Sequence, residues 1–207
     1  MLITSLSQLD LTKQYTYADY LAWQFEDERL KIELLDGYIK PWYSIYPAHS
    51  LLLGGIISGI YSYFRKHSTH EAYQLLLDVR LTYESIADDK IIDVVQPDFI
   101  ITHKNTLDDA GVVGVPMVLF EIYQRETAHK KMFEKFAIYE FYGVNELWLI
   151  DLSAKNGRIY AINSDGKYEL VRSFSEYDTA VSLVSFPDLS VNFKEIVERI
   201  QPRLMPE

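Results

Sequence analysis

Two acidic residues, Asp98 and Glu121, each interrupt a short apolar segment of the sequence. Asp98 lies in the segment 91–101 and Glu121 in the segment 118–123, both rich in Val, Ile and Phe. Such short segments are typical of largely buried strands. A carboxylate there carries a desolvation cost of several kcal/mol unless a basic group, a hydrogen-bond network or a metal ion offsets it. Two carboxylates from successive strands can meet across a sheet and hold one divalent cation.

Each acid also has a simpler interpretation when it is taken alone. Asp98 follows Pro97 and could cap a turn at an irregular strand end. Glu121 could form a buried ion pair with a residue such as Lys135 or Arg125. Taken together, the two carboxylates favour a shared cation more than either does separately.

A helix predicted over residues 127–142 carries the candidate basic group, Lys135. At 100° per residue, Lys135 projects beside Met132 and Tyr139, at the margin of the apolar face. Its ammonium can reach toward the strand that carries Glu121 while its stem covers apolar surface. In a hydrolase it would orient the attacking water or stabilise charge on a phosphoryl transition state. The alternative is an ordinary surface lysine.

Glu33 and His49 are further candidates. Glu33 lies in the first predicted hairpin and could provide another ligand for a metal or water, although an edge-strand glutamate is usually solvated. His49 lies at the start of a predicted buried helix and could transfer protons or donate a hydrogen bond in the site. The alternative for His49 is a helix cap.

The helices and strands that the sequence indicates predict a mixed α/β fold around a central sheet, in one domain over residues 1–207. Asp36-Gly37 and Ser164-Asp165-Gly166 indicate an N-terminal and a C-terminal β-hairpin. Helices are predicted at residues 17–26, 47–65, 127–142 and 192–200, the first capped by Thr16. Extended segments are predicted at 73–83, 91–102, 116–123 and 146–151.

Composition narrows the class of protein. The chain has 207 residues, 48% of them apolar, and no cysteine, which excludes disulfides and thiolate metal ligands. We see no basic segment typical of a signal peptide and no apolar stretch long enough to span a membrane, so we expect a cytoplasmic protein. The net charge of −10 does not favour a nucleic-acid partner, although a bound metal can supply local positive charge.

An ordered set of short motifs resembles the Uma-two family of restriction-endonuclease-like proteins. The resemblance covers residues 15–195 and is clearest in the last motif. The motifs are Ile32-Glu33-Leu34-Leu35-Asp36-Gly37, the downstream His49, Gln96-Pro97-Asp98, Leu119-Phe120-Glu121-Ile122, and Lys135-x-x-x-Tyr139-x-x-x-Gly143-Val144-x-Glu146-x-Trp148-x-x-Asp151.

That resemblance implies a PD-(D/E)XK nuclease fold and an endonuclease that hydrolyses DNA. It implies Asp98 and Glu121 as ligands of Mg²⁺ or Mn²⁺ and Lys135 as the catalytic lysine. The supporting residues that it implies are Glu33, His49, Tyr139 and Gln124. Because cleavage of both DNA strands generally needs two active sites, we also expect a homodimer.

The chain departs from the family pattern at three places. Tyr123 stands two positions after Glu121, where the fold usually has its lysine, and Lys135 on the following helix matches the relocated lysine of this family. Residues 124–127 replace a common Ser-Pro-Ser-Thr stretch, and Lys131 replaces an Asp. These changes leave two alternatives to the enzyme. One is a nuclease fold that serves as a binding or assembly module without turnover. The other is a structural protein in which Glu121 and Lys135 form a buried pair.

Overall fold

The strands of the computed structural model lie mainly in two six-stranded sheets within the residues that it describes, namely 2–26, 30–43, 47–65, 70–74, 78–84, 86–123, 127–176 and 178–204. Each sheet belongs to its own compact unit. The first unit consists of Met1–Ser44, Leu77–Gln96 and Thr106–Val115. The second consists of Ile45–Leu76, Pro97–Asn105 and Pro116–Glu207.

In chain order the strands are β1 Leu2–Ile3, β2 Gln24–Phe25, β3 Leu30–Leu35, β4 Tyr38–Tyr43, β5 His70–Gln74, β6 Asp78–Arg80, β7 Val94–Val95, β8 Phe99–His103, β9 Leu107–Asp108, β10 Gly111–Val113, β11 Val118–Tyr123, β12 Glu146–Asp151, β13 Asn156–Ile162, β14 Tyr168–Ser175, β15 Val181–Ser182 and β16 Ser190–Val191. The α-helices are α1 Tyr17–Leu21, α2 Pro47–Phe64, α3 Thr127–Tyr142 and α4 Phe193–Leu204. The mixed α/β fold predicted from the sequence is therefore confirmed.

The sheet of the first unit has the order β4-β3-β7-β6-β10-β9. Asp36 and Gly37 join β3 to β4 with φ of 51° and 74°, the left-handed values of a tight hairpin turn, which confirms the predicted hairpin. Thr16 caps α1 as predicted, because its side chain accepts the N–H of Asp19. The helix is shorter than predicted and ends at Leu21, and β2 follows it to pair with β1.

The sheet of the second unit has the order β14-β13-β12-β11-β8-β5. Strand β11 runs parallel to β12 and antiparallel to β8, and α3 connects β11 to β12. Phe120, Trp148 and Ile159 lie side by side in register and belong to the buried core that also contains the apolar residues of α2. The next positions in register, Glu121 and Leu149, therefore point to the opposite face.

Two segments predicted as continuous strands divide between the units. The segment 91–102 becomes β7 in the first unit and β8 in the second, and the segment 73–83 becomes β5 and β6. Pro97 stands at the first division, and its missing N–H cannot donate to a strand ladder. Pro97 thus begins the part of the segment that belongs to the second unit, and Asp98 follows it directly.

Glu146, at the start of β12, is a fully buried acid whose partners are all donors. Its carboxylate accepts the indole N–H of Trp148 at 2.7 Å and the backbone N–H groups of Val184 at 2.8 Å and Ser185 at 2.7 Å. Charge-assisted hydrogen bonds of this kind offset the desolvation of a buried carboxylate. The Glu-x-Trp motif therefore fixes the segment near Val184 to the sheet.

None of the helices in the described ranges combines the length and the apolar character that a membrane span requires. The single domain and the homodimer expected from the sequence stay predictions. The aromatic segment 42–46 would favour a homodimer as an exposed patch, but its side chains lie outside what the structure describes.

Candidate active site

Asp98 and Glu121 occupy neighbouring positions at the end of the ladder between β8 and β11. Phe99 faces Phe120 in the antiparallel register, and the next residues along the two strands are Asp98 and Glu121. The N–H of Asp98 donates to the carbonyl of Phe120 at 3.1 Å, and Asp98 Oδ2 accepts the N–H of Ile122 at 2.7 Å. Asp98 is thus held against the backbone on both sides of Glu121, at Phe120 through its N–H and at Ile122 through its carboxylate.

His49 is the direct side-chain partner of Asp98. Its Nε2 lies 2.9 Å from Asp98 Oδ1, so both oxygens of this carboxylate are engaged. The histidine is the third residue of α2 and is buried, with 8% of its surface exposed. Its Nδ1 is buried and has no hydrogen-bond partner among the residues that the structure describes. The contact places His49 in the site, whereas its role in proton transfer stays a prediction.

Lys135 and Tyr139 both contact Glu121 from α3. Lys135 Nζ lies 2.6 Å from Glu121 Oε1, and the Tyr139 hydroxyl donates to the same oxygen at 2.5 Å. The two residues are four apart, so they lie on one face of the helix and point at the same strand. Lys135 is only 1% exposed, and the interpretation of it as a surface lysine is therefore wrong. The buried pair satisfies the charge of Glu121.

The donor chemistry of the two acids fits a hard divalent cation. Carboxylate oxygens are ligands that Mg²⁺ and Mn²⁺ prefer, and Mg²⁺ is commonly held by one or two carboxylates together with waters. In the part of the chain that is described, no group of three or more His, Cys, Asp or Glu residues is arranged to hold a metal. The assignment of Asp98 and Glu121 as ligands of a divalent cation stays a prediction.

The two other predicted supporting residues are Glu33 and Gln124. Glu33 belongs to the first unit, where its Oε1 accepts the N–H of Gln96 at 2.7 Å. It is 1% exposed on β3, between β4 and β7, so the interpretation of a solvated edge-strand glutamate is wrong. Gln124 lies outside the described residues. Tyr123, in the place of the usual lysine, is half-buried, and this burial raises the pKa of its hydroxyl.

The first unit contains a polar cluster that the sequence analysis missed. Gln96 Nε2 donates to Asp78 Oδ1 at 2.8 Å, and the Tyr20 hydroxyl donates to the same oxygen at 3.3 Å. Burial raises the pKa of Asp78 above its usual value, while these two hydrogen bonds act in the opposite direction. Asp78 follows three leucines and precedes Val79, so the signal that singled out Asp98 was present here too.

The sequence and the fold were matched to known proteins. A family model named Uma2 and described as "Putative restriction endonuclease" matches residues 17–194. A crystal structure of a putative nuclease belonging to DUF820, from Anabaena variabilis, is similar with a TM-score of 0.64 and 20% sequence identity, over 89% of this chain and 98% of that chain. No curated protein matches the sequence. The structural match supports the predicted fold, and the family match covers most of the chain.

Proposed function

Because the chain belongs to the Uma2 family of putative restriction endonucleases, we propose that it is a metal-dependent endonuclease that hydrolyses phosphodiester bonds in DNA. One observation carries the proposal. Asp98 and Glu121 are the next positions beyond the last paired residues of β8 and β11, and Lys135 Nζ lies 2.6 Å from Glu121 Oε1. Carboxylates that can hold a metal ion and a nearby cation that can stabilise developing negative charge are groups that assist phosphodiester hydrolysis.

Asp98 and Glu121 would hold Mg²⁺ or Mn²⁺, which supplies a Lewis acid for the phosphoryl oxygens and lowers the pKa of a bound water. Lys135 then provides a fixed positive charge beside Glu121, where negative charge develops on the phosphoryl group. Tyr139 and His49 position the two carboxylates through the hydrogen bonds at Glu121 Oε1 and Asp98 Oδ1. Outer partners of this kind orient ligands and hold their geometry.

A digestion assay of the full chain tests this proposal. We expect it to nick or cut plasmid DNA in the presence of Mg²⁺ or Mn²⁺ and to be inactive in EDTA. Single-stranded DNA and RNA serve as parallel substrates, because the site alone does not fix the strand preference. Calorimetric titration with Mn²⁺ should show binding in the same protein. Metal binding without cleavage of any substrate would reject the nuclease proposal and favour a binding module without turnover.

Lys135→Met is expected to lower stability and abolish cleavage together, because it leaves the buried carboxylate of Glu121 without its cation. Breaking a buried ion pair by removing one partner costs about 3–5 kcal/mol of unfolding free energy. The double variant Lys135→Met, Glu121→Gln removes both charges and should regain most of that loss. Urea unfolding and plasmid digestion measure the two effects.

The double variant separates catalysis from packing. If the pair is catalytic, the double variant is stable and inactive. If cleavage returns with stability, the pair has only a structural role.

A further inference from the structure

A half-open pocket of about 160 Å³ lies between α3 and the sheet of the second unit. Its lining is mostly aromatic and includes one cation: Tyr123, Met132, Phe133, Phe136, Leu149, Arg158 and Tyr160. We refer to these seven residues as the aromatic pocket. An apolar cavity of roughly 150 Å³ holds a ring of benzene size. The aromatic pocket is therefore large enough to take one planar ring.

The sheet register places the aromatic pocket beside the proposed active site. Glu121 faces Leu149 on β12, and Leu149 faces Arg158 on β13, so these three residues form one row on the same face of the sheet. Neighbouring strands are about 4.8 Å apart, which puts Arg158 about 10 Å from Glu121. Tyr123 is two residues from Glu121 on the same face, or about 7 Å along the strand. A single nucleotide can span such separations.

Contacts between the aromatic side chains of the pocket fix the orientation of their rings. Phe136 contacts Tyr160 edge to face, with centroids 5.0 Å apart and planes at 85°. Phe133 is 75% exposed, so its ring is accessible to a ligand at the mouth of the pocket. Arg158 is exposed at the same opening. Aromatic faces next to a guanidinium are suited to a planar ligand that carries negative charge.

We infer that the aromatic pocket binds an unpaired nucleobase of the DNA strand whose phosphodiester is cleaved at Glu121, with Arg158 contacting an adjacent phosphate. This inference rests on the proposed function. Bases stack on aromatic side chains without regard to sequence, since every base has a π face. The net charge of −10 makes general attraction to phosphates weak, so stacking must supply a large part of the affinity.

Binding of oligonucleotides without cleavage tests the inference. The full chain is titrated into fluorescent single-stranded DNA in EDTA, and Phe133→Ala is compared with Phe141→Ala. Phe141 is the matched control, because it is 69% exposed on the same helix and does not line the pocket. Loss of one stacking contact should weaken binding about tenfold for Phe133→Ala. Phe141→Ala should bind like the wild type.

Two further binding measurements identify which groups of the protein and of the DNA contact each other. An oligonucleotide of abasic sugars should bind the wild type and Phe133→Ala equally, because it offers no ring. Arg158→Gln should weaken binding to both oligonucleotides and reduce its dependence on salt. Equal affinities of Phe133→Ala and Phe141→Ala for single-stranded DNA would overturn the inference.

The outcome for the pocket is distinguishable from the outcome for the enzyme. If the wild type cleaves DNA and Phe133→Ala binds normally, the pocket proposal is wrong and the nuclease proposal stands. If no substrate is cleaved but Phe133→Ala alone loses binding, the pocket is a nucleobase site in a protein without turnover.

Discussion

Replacing Glu121 with Gln is expected to reduce metal-dependent DNA cleavage by about 10³-fold, because a metal ion contributes several kcal/mol of charge stabilisation to the transition state. The amide keeps the size of the side chain and its contact with Tyr139. It removes the charge that attracts a cation. Asp98→Asn should act in the same direction, since it removes the other predicted ligand. Single-turnover rates at saturating Mn²⁺ and calorimetric titration with Mn²⁺ measure the two consequences.

Glu140→Gln is the matched control for that experiment. Glu140 also lies in the second unit and also contacts a lysine, with Lys167 Nζ 2.8 Å from its Oε1, and its Oε2 accepts the N–H of Tyr168 at 3.0 Å. Its replacement should change the cleavage rate less than about twofold, because neither contact involves Asp98, Glu121 or Lys135. The assignment of the two metal ligands fails if Glu121→Gln and Asp98→Asn retain the wild-type rate, or if Glu140→Gln loses as much.

Glu146→Ala is expected to lower the free energy of unfolding by about 4 kcal/mol, a loss comparable with that of Lys135→Met. The reason is that three buried donors, from Trp148, Val184 and Ser185, would lose their common acceptor, each at a cost of about 1–3 kcal/mol. For a chain of this length, such a loss lowers the melting temperature by roughly 10 °C. Urea and thermal denaturation measure it.

Two variants calibrate the Glu146 experiment. Glu146→Gln keeps one acceptor oxygen and should lose less stability than Glu146→Ala. Glu198→Ala removes an exposed acid of α4, whose contact with Lys194 is 4.0 Å long, and should change stability by less than about 0.5 kcal/mol. A Glu146→Ala protein as stable as Glu198→Ala would show that the buried hydrogen bonds contribute nothing.

The parts of the site that the sequence predicted are those with a local signal. An acid inside an apolar segment indicated Asp98 and Glu121, and the structure brings their backbone positions together. Helical spacing placed Lys135 and Tyr139 on one face of α3, and the helix bounds 127–142 were correct. Helical periodicity placed Lys135 at the margin of the apolar face but could not decide whether it is buried. Its burial depends on the ion pair with Glu121, which comes from a different element.

The parts that the sequence did not predict depend on pairings between distant segments. Pro97 interrupts the segment 91–102, but nothing local indicates that its two ends belong to different sheets. Asp78 carries the same local signal as Asp98, and its hydrogen bonds to Gln96 and Tyr20 depend on how distant segments come together. The family resemblance identified Glu146 as part of a motif, but its structural role needed the contact with residues 184 and 185.

The interleaving of the two units along the chain has a consequence for biosynthesis. The first sheet needs β9 and β10, so it remains incomplete until the ribosome has passed Val113. Strand β5 is made early but must wait for β8, with which it pairs. No single cut of the chain separates the two units, because a fragment that contains all of one unit also carries segments of the other. The leftover segments would have unpaired strand edges that are prone to aggregate.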